Sequence, residues 1–292
     1  MLFLQQITDG IATGAIYASI GLALVLIFRS TGIANFAQGE MAMFSTFVAW
    51  QLIAWGLPVP VAALIAVAFA FVVGAATERF VVRPAEGGSH LNTVILTFGL
   101  YLVFNEFAAL IWHSTPLSFP TLAPERVWSV GGWRMTSSMV VMVGALVVES
   151  LAVYLLLRRT TLGLWMRASA ANPESSALVG IDVKRMLMLG WGLAGVFGAI
   201  AGILIAPRVF LEPNMMSGIL LYAFAAVILG GLDSVLGAVV GGVLIGVIEN
   251  LVGTYVTVVG PDLKVVVPLV VIVLVLMLRP AGLFGAVERV RV

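Results

Sequence analysis

Apolar residues run along this chain in long stretches that charge, proline and glycine interrupt. Nine segments emerge: Gly10–Phe28, Phe36–Trp55, Val59–Ala76, Leu91–Trp112, Ser137–Leu157, Met186–Ala206, Gly218–Leu232, Ser234–Leu251 and Val265–Leu278. A helix needs about 20 apolar residues to cross a bilayer, and most of these come close. Gly218–Leu232 and Val265–Leu278 are short for a full crossing, and Gly218–Leu232 with Ser234–Leu251 is also compatible with a re-entrant pair packed inside protein. The pattern predicts an all-α fold: a polytopic transmembrane helical bundle of about 8–9 hydrophobic segments, one domain over 1–292.

Composition narrows the alternatives. With 61% hydrophobic and 10% charged residues, the chain departs from a soluble domain, which runs about 45–50% apolar and about 25% charged. A net charge of +1 gives no electrostatic case for nucleic acid. The chain has no cysteine, which removes disulfides, thiolate metal sites and cysteine nucleophiles. The two histidines, His90 and His113, are far apart, so no metal site is read here. Lys184 and Lys264 follow Val183 and Leu263, whereas a phosphate-binding P-loop needs Gly-Lys. Transport driven by ATP would therefore need another subunit to hydrolyse it. No basic residue precedes Arg29, so the N-terminus reads as a retained first span rather than a signal peptide.

Charge sets the expected orientation. Placing Arg29, the Glu78–His90 loop, the Arg158–Arg185 loop and the tail from Arg279 on one side gathers Arg29, Arg79, Arg83, Arg158, Arg159, Arg167, Lys184, Arg185, Arg279, Arg289 and Arg291 there. The other side holds only Arg126, Arg134, Arg208 and Lys264. Cytoplasmic loops collect Lys and Arg, so the N-terminus is expected outside and the C-terminus inside.

Three stripes of small residues recur at helical spacing: Gly10, Gly14, Ala18; Gly190, Ala194, Gly198, Gly202; and Ala238, Gly242, Gly246. Small residues let helices approach closely in lipid, so packing is the first reading and a glycine-lined pore the second.

One segment breaks the pattern. Seven of the 28 residues from Arg158 to Arg185 are charged. Within it Asn172-Pro173-Glu174 is a helix start: Asn caps, Pro occupies the first turn, and Glu suits the positive end. Gly180 supplies a stop. A helix of about two turns over Pro173–Val179 is marginal alone in water. Either it lies on its own bundle or the lipid, or it docks into a cytoplasmic partner through Ala177, Leu178 and Val179, with Ser175 and Ser176 turned elsewhere.

This segment carries a resemblance. Thr161, Gly163, Arg167, Ala168 and Ala170, then Ala177-Leu178-Val179-Gly180-Ile181, Val183 and Arg185, resemble the coupling loop of branched-chain amino-acid ABC transporter permeases of the LivH type. Asn35-Phe36-Ala37-Gln38-Gly39-Glu40 resembles that family's N-F-A-H-G-E, with Gln38 in place of His. Glu78-Arg79 with Arg83-Pro84, the run Gly230-Gly231, Ser234, Gly237-Ala238, Gly241-Gly242 and Glu249, and Arg279-Pro280-Ala281-Gly282-Leu283-Phe284-Gly285 also match. The resemblance implies one transmembrane permease domain with a cytoplasmic coupling loop at 158–185, in the bacterial inner membrane. Partners implied are two cytoplasmic ATPase subunits, a second permease subunit of the LivM type, a periplasmic substrate-binding protein and membrane lipid. No cofactor is expected in this chain, since ATP is used by the partners. It points to Arg167, Ala170, Asn172, Pro173, Ala177, Leu178, Gly180 and Ile181 for coupling to the ATPase. Pathway candidates are Asn35, Gln38, Gly39, Glu40, Gly230, Gly231 and Ser234. Gln38 removes a titratable group from that motif, and urea, amides and aromatic acids stand beside branched-chain amino acids as possible solutes.

Ionisable residues inside spans are functional hypotheses by default. Glu40, Glu106, Glu149 and Glu249 are such residues, each weighed between interhelical hydrogen bonding and a transport role. They also carry the rival reading, a self-contained secondary transporter that uses a carboxylate as an ion site. An intramembrane enzyme would need paired catalytic groups, but Asp9, Asp182, Asp233 and Asp262 all fall near span ends.

Overall fold

The structure, a computed structural model, describes residues 2–85, 90–256 and 263–285. Arg289, Arg291, Asp262 and part of the Glu78–His90 loop lie outside the described residues. In chain order the helices are α1 (Leu2–Thr31), α2 (Gln38–Ala54), α3 (Val59–Thr77), α4 (His90–Trp112), α5 (Ser137–Arg159), α6 (Thr161–Ala171), α7 (Pro173–Leu178), α8 (Val183–Ile205), α9 (Ser217–Gly230), α10 (Val235–Tyr255) and α11 (Val266–Leu278). A π turn at Glu78–Val82 and a 3-10 turn at Arg83–Ala85 extend α3. Six of these helices are long and apolar enough to cross a membrane: α1, α3 with its extension, α4, α5, α8 and α10. The protein is a multi-pass helical membrane bundle. The remaining apolar helices, α2, α9 and α11, have 17, 14 and 13 residues.

The bundle is built around α1. Every residue from Gly14 to Ile27 is buried, because α5, α8, α9 and α10 surround the helix. A helix apolar all round belongs in an interior, and α1 has no polar face to present elsewhere.

Two of the small-residue stripes meet each other. A β-carbon on Gly14 would sit 2.6 Å from the Gly242 carbonyl oxygen and 2.8 Å from Val243 Cα, and one on Gly242 would sit 2.6 Å from Ala18 Cα. Gly246 abuts the Gly10 carbonyl and the Gly14 amide. The third stripe turns Gly198 and Gly202 toward Gln38, Ala42 and Thr46 of α2. The neighbouring Gly192 and Gly195 lie against Phe71 and Ala70 of α3. All three stripes are therefore packing seams. Close backbone approach maximises dispersion contact where no hydrophobic drive between helices exists.

One element departs from the all-α expectation. Strands β1 (Val127–Val130) and β2 (Trp133–Thr136) form an antiparallel hairpin. Gly131 and Gly132 both take positive φ, 57° and 86°, the geometry a two-residue hairpin turn demands. Gln5 at the start of α1 binds its edge, donating to the Arg134 carbonyl (3.0 Å) and accepting from the Arg134 amide (2.9 Å). The indole of Trp133 donates to Thr8 Oγ1 at 3.2 Å. The first turns of α1 thus continue beyond the expected span, Gly10–Phe28, to meet this hairpin.

Candidate functional site

The expected short helix forms. The Asn172 side chain accepts from the Ser175 amide at 2.8 Å, Pro173 fills the first turn, and α7 ends one residue earlier than expected, at Leu178. Gly180 has φ +87° and its amide donates to the Ala177 carbonyl at 3.0 Å. Ser176 is buried toward the bundle, while Leu178 and Val179 are 89% and 77% exposed. Asn172, Pro173, Ala177 and Ala170 are exposed as well, and Ile181 is half-buried. Two apolar side chains held out on a capped turn form a peg.

What reads as a loop before the peg is mostly helix. Thr160 caps α6 by accepting from the Gly163 amide at 3.0 Å, and Gly163 is pressed against the Leu156–Leu157 backbone. Arg167 bonds back to the Gly163 carbonyl at 3.3 Å. After the peg, Asp182 caps α8 through the Arg185 amide at 3.1 Å. The Glu78/Arg83 motif braces this end. Arg83 forks onto the buried Glu78 carboxylate (3.1 and 2.6 Å) and reaches the Lys184 carbonyl at 3.1 Å. Bidentate guanidinium–carboxylate pairs fix geometry as well as charge, so α3 holds the first turn of α8 in place. Nothing local in the sequence points from Arg83 to Lys184, 101 positions away.

The pathway candidates fall into two places. Asn35, Gln38, Gly39 and Glu40 are all buried, at the start of α2. Asn35 accepts from the Ala37 amide at 3.0 Å, and Gln38 donates to the Ala194 carbonyl of α8 at 2.9 Å. Gly39 faces Met216, which precedes α9, and Leu220 within it. Glu40 accepts from Asn105 of α4 at 3.1 Å. Gly230, Gly231 and Ser234 lie elsewhere, at the α9–α10 turn. Ser234 caps α10 by accepting from the Gly237 amide at 3.0 Å. The terminal motif folds over this turn: the amides of Leu283 and Phe284 donate to the carbonyls of Leu229 and Gly230 at 2.8 and 2.9 Å. The last carbonyls of α9 are orphans of the helix end, and the Arg279–Gly285 motif satisfies two of them.

Gln38 gives a direct test of what the missing histidine means. A neutral imidazole can present one N–H donor, so Gln38→His is expected to keep the bond to Ala194 and to leave uptake within about twofold. Gln38→Ala removes the donor, and the variant should lose about 1 kcal/mol of stability. Thermal denaturation in detergent compares the two; equal loss in both would remove the hydrogen bond as the reason for Gln38.

The other buried carboxylates tie helices together. Glu249 of α10 accepts from the Tyr17 hydroxyl of α1 at 2.6 Å, and the Tyr17 ring stacks on Tyr222 of α9 at 4.9 Å. Glu149 of α5 accepts from Ser19 of α1. Glu106 is exposed on α4. Beyond the end of α8, burial pulls the Arg208 guanidinium below its ordinary range, and the charges of Asp9 and Glu125 oppose that shift.

A glycine-seamed bundle of helices long enough to cross a membrane, with a capped apolar peg held out at one end, makes this a multi-pass membrane protein. Residues 6–276 match the family described as branched-chain amino acid transport system / permease component, and the chain belongs to that family. It is similar to the high-affinity branched-chain amino acid transport system permease protein LivH of Salmonella typhimurium, at 28% identity over 99% of this chain and 97% of that protein. BraD of Pseudomonas aeruginosa, with the same description, is 29% identical over 98% and 97%. The ribose import permease protein RbsC of Escherichia coli is 24% identical over 81% and 74%. The chain is a permease subunit of an ABC importer.

Proposed function

We propose that this subunit forms part of the pathway for branched-chain amino acids, or a related small polar solute, across the bacterial inner membrane. A periplasmic binding protein delivers the solute, a second permease of the LivM type completes the pathway, and two cytoplasmic ATPases drive it with ATP. The observation that carries this reading is the peg at Ala177–Val179, whose exposed apolar surface is costly unless a partner covers it. The asymmetry of Lys and Arg supports N-terminus out and C-terminus in, with 158–185 on the cytoplasmic face. The apolar runs support eight to nine hydrophobic segments, and two short crossings by α9 and α10 or one re-entrant pair both return the chain to the same side. Long relatives named for branched-chain amino acids favour that solute over the sugar named for RbsC.

The rival reading, a self-contained secondary transporter, would need a buried carboxylate as its ion site, and Glu149 and Glu249 are instead engaged by Ser19 and Tyr17 between helices. Purification in mild detergent separates the two. An ATPase and a second permease are expected to copurify, and proteoliposomes holding the purified assembly with its binding protein should accumulate leucine only with ATP inside. Accumulation by this chain alone under a sodium or proton gradient would replace the importer reading with the transporter one.

A further inference from the structure

The start of α2 holds a group that the packing leaves unsatisfied. Glu40 is 1% exposed, and its Oε1 has no hydrogen-bond partner among the described residues. Its Oε2 shares one donor group with two other acceptors. Asn105 Nδ2 lies 3.1 Å from Glu40 Oε2, 3.0 Å from the Pro213 carbonyl and 3.2 Å from Asn214 Oδ1. An amide NH2 carries two hydrogens, so three acceptors compete for two protons while a fourth, Oε1, has none. The ion pairs among the described residues join Arg83 to Glu78 and Arg185 to Asp182, and neither touches Glu40. A carboxylate buried in a membrane bundle is costly unless a cation or several donors meet it. This cluster has an excess of acceptors and lacks the cation.

The cluster lies one layer beneath an open surface. Asn105 is half-buried, and Asn214, Ser217 and Gly218 are exposed. The segment Pro213–Met216 separates the carboxylate from that surface and leads directly into α9. The N-cap of α9, Met216, supplies no side-chain cap; the Ser217 amide and hydroxyl bond the Asn214 carbonyl, so the next amides of that first turn are the donors nearest in sequence to these acceptors. Acceptors for an ammonium next to donors for a carboxylate are the two halves of a zwitterion's complement.

We propose that Glu40, with the Pro213 carbonyl and Asn214 Oδ1, is the subsite that takes the ammonium group of the solute during passage, reached when the Pro213–Met216 segment shifts. No bond is made or broken: the ammonium N–H groups replace the shared protons of Asn105. The inference rests on the amino-acid importer reading and adds to it the residue that selects for a charged amine. Glu40 contacts the solute itself, and a neutral sugar gains nothing from it.

The test uses the intact transporter, with ATPases, second permease and binding protein, in proteoliposomes. Glu40→Gln is expected to lower leucine uptake by about tenfold or more, the consequence of losing a hydrogen bond to a charged group. Glu40→Asp keeps the charge but withdraws it by one methylene, and should raise the KM for leucine by about tenfold with a smaller change in kcat. Against the Asp variant, 3-methylbutylamine (leucine without its carboxylate) should lose inhibitory potency, while 4-methylpentanoate (leucine without its amine) should not. The same binding protein serves every arm, so these differences belong to the permease. Leucine uptake by Glu40→Gln within twofold of wild type overturns the subsite and leaves the importer reading standing. If Glu40→Gln fails to retain the ATPase in detergent, Glu40→Asp decides, and an unchanged KM overturns the proposal. A wild-type complex that imports ribose and not leucine overturns both.

Discussion

A Gly180→Pro permease should reach the membrane, fold its bundle and import nothing. Gly180 has φ +87°, a conformation proline cannot adopt because its ring fixes φ near −65°. Its amide also donates to the Ala177 carbonyl at 3.0 Å, and proline has no such proton. The C-terminal closure of α7 is lost, and a six-residue helix has little else to hold it. The Ile181 amide bonds back to the Ser176 carbonyl at 3.0 Å, so the change propagates into the approach to α8. None of this reaches the transmembrane core, since a side chain at Gly180 meets nothing within 4 Å. Ala177→Arg tests the same surface differently: it leaves α7 formed and places a charge where an apolar pocket is expected. Central apolar anchors at interfaces are worth about 2–4 kcal/mol each, which corresponds to a loss of roughly 30-fold to 1000-fold in ATPase association. Uptake should fall to background in both variants while detergent-solubilised protein elutes as wild type does. Normal ATP-dependent uptake by either variant would remove the coupling role from this helix.

The parts of this fold that were legible in the sequence are those written in local order. Helices occur at each of the nine apolar runs, and the Asn172–Pro173 cap and Gly180 stop place α7 to within a residue. The small-residue stripes announce close packing, but not that Gly10–Gly14–Ala18 faces Gly242–Gly246, because a stripe carries no address. The same limit hides the bond from Arg83 to the Lys184 carbonyl and the fold of Leu283–Phe284 over the end of α9. Two of the departures have local signals. Gly131-Gly132 between Val127–Val130 and Trp133–Thr136 is a hairpin signal, masked in a chain so apolar that it reads as helix throughout. Thr160, three residues before Gly163, caps α6 in a segment that reads as loop because its charge outweighs its helical pattern. At the candidate site, Asn35 to Glu40 read as one motif; Asn35 caps the turn before α2 and donates to Gln38, while Gln38 also reaches α8 and Glu40 reaches α4. The shortage of donors around Glu40 depends on Asn105, Pro213 and Asn214, residues that only the tertiary fold brings together.

Gly246→Leu should prevent the bundle from assembling at all. At this point of the α1–α10 seam the chains approach so closely that even one methyl group on Gly246 would overlap the Gly10 carbonyl and the Gly14 amide. Those atoms are main chain within a helix buried on every side from Gly14 to Ile27, so they cannot move aside as a flexible side chain would. Relief requires the two helices to separate, and separation also breaks the bond from Tyr17 to Glu249 at 2.6 Å, leaving a buried carboxylate without its donor. Overpacking a well-packed interior costs about 1–3 kcal/mol or more, and an unsatisfied buried polar group adds about 1–3 kcal/mol. Against a typical total of about 5–15 kcal/mol, Gly246→Ala, which adds only the first carbon, should be recoverable with a lowered melting temperature; Gly246→Leu adds three further carbons at the same main-chain contact, incurs both costs at their upper end and more, and should yield no monodisperse protein. Gly99 and Gly144 supply the contrast: both lie in membrane-crossing helices, and a β-carbon at either meets nothing within 4 Å. Gly99→Ala and Gly144→Ala should express and melt as wild type does, or slightly above it, since alanine favours helix over glycine by about 1 kcal/mol. The measurement is the yield and melting temperature of monodisperse protein in detergent. If all four variants behave alike, the seam has no special demand for glycine, and the stripes of small residues in α1 and α10 lose their structural explanation.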